Sequence, residues 1–130
     1  MGQLPTVVER FLRYTRYDTQ SDEKSTTVPS SLKQLELSRA LIRELGELDV
    51  GNADLDDHGY VMATIPSNVD WAVPVIGFIA HVDTSPEMSG KNVSPQIHPA
   101  YNGGAIELGG EFALTPEQSP ELLQHVGHTI

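Results

Sequence analysis

The chain has 130 residues, with 8 Lys and Arg against 18 Asp and Glu and a formal net charge of −10. That length suits one ordinary domain with its own core and is too short for two of usual size. The acidity argues against nucleic acid and anionic membrane surfaces, which require a basic patch, and the lack of cysteine excludes disulfides.

Leu4, Val7, Val8, Phe11 and Leu12 recur at the spacing of one helical face. They predict an amphipathic helix over about residues 4–16, packed on a sheet. Asp18–Ser31 is polar, without periodicity, and reads as a long loop. Ser31 and Gln34 then have the spacing of a capping box, and Gly46 sits where a left-handed residue would close a helix. A second helix is predicted over about residues 32–45, with Leu35, Ala40, Leu41, Ile42 and Leu45 on its apolar face. Ala53–Asp57 and Tyr60–Ile65, around the short turn His58-Gly59, predict a β-hairpin. Its cluster Asp54, Asp56, Asp57 and His58 lacks the downstream Glu of a calcium loop and reads as a solvated turn.

Pro74–Glu87 reads PVIGFIAHVDTSPE. Its apolar run Val75–Ala80 predicts a strand buried on both faces, the kind found in parallel or mixed sheets covered by helices. His81 and Asp83 follow where the run ends, and ligands of open α/β sheets gather at the carboxyl ends of strands. Residues two apart in an extended segment share a side, so the two side chains can face one site. They suit either a zinc-ligating imidazole oriented by a carboxylate or a His/Asp acid–base couple.

Met88–Gly104 is a Gly- and Pro-containing excursion of the length that usually serves a function or tucks onto a neighbour. Ala105–Leu108 and Glu111–Leu114 predict two short strands around Gly109-Gly110, and Pro116–Gln124 a short helix ended by Gly127. His58, His98, His125 and His128 read as surface or capping residues. His125 and His128 have a spacing that meets on one helical face, interrupted by Gly127.

The stretch Gly77–Gly104, GFIAHVDTSPEMSGKNVSPQIHPAYNGG, resembles the peptidase T family of zinc-dependent aminotripeptidases. These belong to the co-catalytic zinc exopeptidases related to aminoacylase and carboxypeptidase G. The similarity extends to Asp18-Thr19-Gln20-Ser21, Val28-Pro29-Ser30 and Gly59–Pro66, and so to nearly the whole chain. The resemblance implies that His81 is a zinc ligand and that Asp83 is the supporting carboxylate counted among the family's catalytic residues. It also implies that a bridging Asp, a Glu-Glu pair, a further Asp ligand, a distal His and a smaller lid domain belong beyond Ile130.

The expected fold is therefore α/β, a mixed and mostly parallel sheet flanked by helices, with residues 1–130 forming the N-terminal portion of a zinc peptidase catalytic domain. The parent protein is expected to release the N-terminal residue from tripeptides using two zinc ions. These residues alone are expected to be inactive, to bind zinc weakly or not at all, and to self-associate. No apolar run approaches the roughly 20 residues of a membrane span, and Met1–Pro5 lacks the features of a secretory signal. A cytoplasmic location follows. The other reading of the chain is a non-catalytic α/β binding or interaction domain that keeps only the scaffold. Continuation of the reading frame with acidic ligands discriminates the two.

Overall fold

The computed structural model describes residues 6–130. The chain divides into two compact units, the first ending at Val93 and the second running Ser94–Ile130. Together they hold a mixed set of helices and two small antiparallel sheets.

In the first unit, helix α1 spans Thr6–Tyr14 and helix α2 spans Gln34–Glu47. The start predicted for α1 at Leu4 lies outside the described residues. Sheet packing was expected for α1, yet Val7 and Phe11 stay exposed, and polar contacts tie it to α2 instead. Arg10 Nε pairs with one Glu44 carboxylate oxygen, while Arg13 Nη2 at 2.8 Å and the Tyr14 hydroxyl at 2.6 Å reach the other. The Tyr14 bond, followed by the guanidinium of Arg13, holds the Glu44 carboxyl below its ordinary range. Burial, followed by the same bond to Glu44, pushes the Tyr14 phenol up.

The predicted capping box on α2 does not form: no side chain caps the helix, and Gln34 N–H donates to the Ser31 carbonyl at 3.1 Å. Nor does Gly46 end the helix, which runs on to Glu47; Asp49, at φ 60°, makes the left-handed turn. Its buried residues are Gln34, Leu37 and Ser38. The predicted apolar residues Leu35, Ala40, Leu41, Ile42 and Leu45 are half-buried. Ser38 explains the rotation, because its hydroxyl donates to the Gly59 carbonyl at 3.2 Å and brings the hairpin onto that face.

That hairpin pairs β1 (Asp54–Leu55) with β2 (Val61–Met62), well inside the predicted limits. Asp56 uses its carboxylate on the turn, accepting from the backbone N–H groups of His58 at 2.9 Å and Tyr60 at 2.8 Å. Gly59 adopts φ +87°, and a Cβ there would meet Leu35 Cδ2 at 3.0 Å, so backbone conformation and helix contact both favour glycine.

The run Val75–Ala80 departs most from expectation. It forms no strand, and Val75, Ile76, Phe78 and Ile79 are 98%, 77%, 96% and 101% exposed. A strand buried on both faces needs flanking strands for its N–H and C=O groups and helices over each side. The short strands among the described residues pair only with each other in two hairpins, so none flanks this run. The mostly parallel sheet is accordingly not formed here. Among the described residues, parallel pairing amounts to one isolated bridge, Gln20 with Thr84.

In the second unit, β3 (Ile106–Gly109) pairs with β4 (Phe112–Leu114) through an irregular register between Glu107 and Gly109. The helix predicted over Pro116–Gln124 appears as a 3-10 helix over Pro120–His125, followed by Gly127 at φ +84°. Tyr101, Ile106 and Leu122 form the core, with Leu114 against it. Residues 127–130 close the unit by backbone bonds to His98 and Tyr101, including Ile130 N–H to the His98 carbonyl at 3.0 Å.

Two outcomes follow. The folded state favours ionised Glu44, so its contribution is present above the unfolded carboxyl value of about 4.3 and is lost as pH falls through the lower folded value. The protection of α1 amides, measured relative to their intrinsic exchange rate, should therefore fall as pH drops below about 4, and Glu44→Gln should show reduced protection throughout. In the second unit, Ile106→Ala should cost about 2–5 kcal/mol and Tyr101→Phe, which loses the hydroxyl bond to the Gly104 carbonyl, about 1 kcal/mol. Denaturant titration followed through amide signals of residues 94–130 checks both.

Candidate functional site

His81 and Asp83 meet as their spacing predicts, with His81 Nδ1 3.1 Å from Asp83 Oδ1. An ionised carboxylate can only accept, so this bond places the proton on Nδ1 and leaves Nε2 of a neutral ring as the donor to a cation. Both side chains are open to solvent, at 83% and 48% exposure. Packing therefore does little to hold either one, and their relative placement is left to the backbone.

The backbone is held just downstream. Thr84 N–H donates to the Thr19 carbonyl at 3.1 Å, and the Thr84 carbonyl accepts from Ser21 N–H and Ser21 Oγ, each at 2.9 Å. Gln20 Nε2 donates to the Pro86 carbonyl at 2.8 Å. Thr19 is buried between these contacts. The clasp is anchored in turn by Lys33, at the start of α2, whose Nζ lies 2.9 Å from Asp18 Oδ1. That bond is the main cause that holds the Asp18 carboxyl below its ordinary range.

In the sequence, Asp18–Ser21 reads only as part of a long loop, because a polar stretch without periodicity carries no record of its distant partner. The available signal was the position of this tetrapeptide within a long loop of a compact chain, where such loops often serve a site.

A zinc ion takes four ligands, about three of them from protein at a catalytic centre. His81, with its ring oriented by Asp83, fits one corner of such a centre. Among the described residues no group of three or more His, Cys, Asp or Glu is placed to hold a metal, so the donors present fall short of a complete site. The remaining histidines lie apart from the pair in role. His58 belongs to the hairpin turn, and His98 joins the backbone closure with Ile130. His125 and His128 approach each other, with ring centroids 5.7 Å apart.

No protein-family model matches the chain. Peptidase T of Shouchella clausii strain KSM-K16 is 53% identical to it over 124 residues, which cover 95% of this chain and 30% of that protein. The chain is a homologue of the peptidase T proteins. Peptidase T of Bacillus cereus strain B4264 is 52% identical over 126 residues, covering 95% of this chain and 31% of that protein. Peptidase T of Bacillus thuringiensis strain Al Hakam has the same identity and coverage. The chain thus spans about 30% of the length of these peptidase T relatives. No helix among the described residues is long and apolar enough to cross a membrane.

Proposed function

We propose that these residues are the N-terminal part of the catalytic domain of a zinc-dependent aminotripeptidase, working in the cytoplasm on short peptides. The observation that carries this reading is the 53% identity with a peptidase T across 95% of the chain. The His81–Asp83 bond supports the site assignment, with Nε2 of His81 as one zinc ligand and Asp83 fixing its tautomer. When bound, zinc would acidify a water molecule for attack on the peptide carbonyl. On this reading the further ligands and the general base come from outside these residues. In that longer protein the exposed run Val75–Ala80 becomes an inner strand of a mostly parallel sheet.

Among the described residues the donors are accordingly too few for tight zinc binding. Calorimetry should detect no sub-micromolar zinc site in the 130 residues, and tripeptide hydrolysis should be undetectable. In a chain extended to the relatives' length, His81→Ala should nearly abolish turnover. Asp83→Ala there should lower activity or metal affinity by roughly 10–100-fold. Peptidase activity from the 130 residues alone, or full turnover by the His81→Ala variant, would contradict the proposal.

A second outcome concerns association. An uncharged, exposed apolar run that has no strand pairing among the described residues is a template for pairing with another chain. Light scattering should show assembly of the isolated chain as concentration rises, reduced by Ile76→Lys or Phe78→Lys. A strictly monomeric chain at high concentration would count against it.

A further inference from the structure

We propose that Gln20 and Ser21, anchored by the Asp18–Lys33 ion pair, are positioning residues for His81 and Asp83. The inference rests on the reading of that pair as a metal ligand and its orienting carboxylate. Upstream of His81 the chain is unsupported, since Val75 through Ile79 are exposed and carry no strand pairing. The side chains of His81 and Asp83 are themselves exposed. What restrains the segment is therefore the clasp at the residue after Asp83, where Thr84 exchanges backbone bonds with Thr19 and Ser21.

Four features make this clasp more than a loop crossing. The Ser21 hydroxyl doubles the backbone bond to the Thr84 carbonyl, at 2.9 Å. The Gln20 amide reaches across to Pro86, so both sides of the turn after Asp83 are held. Gly90 brings the same excursion back against Asp18, where a Cβ would lie 2.7 Å from Oδ1 and 3.4 Å from Gln20 N. Lys33 then fastens Asp18 to the first turn of α2 and lies 3.5 Å from Gln20 Oε1. A chain of contacts thus runs from a regular helix through Asp18 and Gln20 to the backbone beside Asp83. Loosening it lets Asp83 swing away from Nδ1, and the ring loses the tautomer that presents Nε2.

The test uses the 130-residue chain, with nitrogen NMR of the His81 ring and hydrogen exchange of the Thr84 amide. Gln20→Ala and Lys33→Met should raise Thr84 exchange by about tenfold, the loss expected for one hydrogen bond, and should shift the ring from Nδ1–H toward a mixture of tautomers. Lys33→Arg, which keeps the ion pair, should restore both signals, and Ser21→Ala should give a smaller change in the same direction. Unchanged α2 and hairpin shifts confirm that each variant folds. Thr84 exchange that rises while the His81 tautomer stays put would overturn the positioning role and reduce the clasp to a structural tie. That result is separable from failure of the functional reading. Full turnover by His81→Ala in the extended chain would remove the ligand assignment but leave the coupling between clasp and ring intact.

Discussion

Polar side chains along α2 carry the long-range order of the first unit. Lys33 takes hold of Asp18 and so of the clasp, Ser38 binds the hairpin turn at Gly59, and Glu44 gathers Arg10, Arg13 and Tyr14. At about 100° per residue, Lys33 and Glu44 leave on nearly the same side, eleven residues apart, and Ser38 leaves about 140° away, so one helix ties together the clasp, the hairpin and α1. The weight falls on polar ties because apolar burial is scarce. Among the described residues of this unit, Leu37 is the one hydrophobic side chain that is buried.

The exposed run before His81 sharpens the same point. In a covered sheet, a strand's neighbours hold its end in place, and catalytic groups inherit that rigidity. Here Val75–Ala80 has no such neighbours, and the described contacts that steady the segment act from its downstream side. Asp18-Thr19-Gln20-Ser21 and Thr84–Pro86 are more than 60 residues apart in sequence, yet they are joined by backbone bonds at 2.9–3.1 Å. Both belong to the compact unit that ends at Val93. The second unit holds itself together differently, by an apolar cluster of Tyr101, Ile106 and Leu122 under a short hairpin.

Local rules were legible where the physics is local. The helices near 6–14 and 34–47, the hairpin around Gly59 and the strands around Gly109-Gly110 follow from periodicity and turn chemistry, with limits off by a few residues. The His81–Asp83 contact was legible for the same reason, since a two-residue spacing keeps both side chains within one local stretch of chain. The capping box failed because the turn at Ser31–Gln34 satisfies its amide with a backbone carbonyl instead. The buried strand failed because hydrophobicity records a tendency to be covered, and no sequence run supplies its own cover.

By itself the sequence determined the type and approximate place of the short elements, the pairing of His81 with Asp83, and a likeness to peptidase T that the relatives share across 95% of the chain. Those properties depend on near neighbours or on residue identity. Only the tertiary structure decided that Ser38 and Leu37 face inward, that Glu44 binds α1, and that Asp18–Ser21 grips the chain beside Asp83. Each of these joins residues far apart in sequence. Such contacts depend on which distant donor meets which acceptor after folding, and neither hydropathy nor spacing encodes that choice.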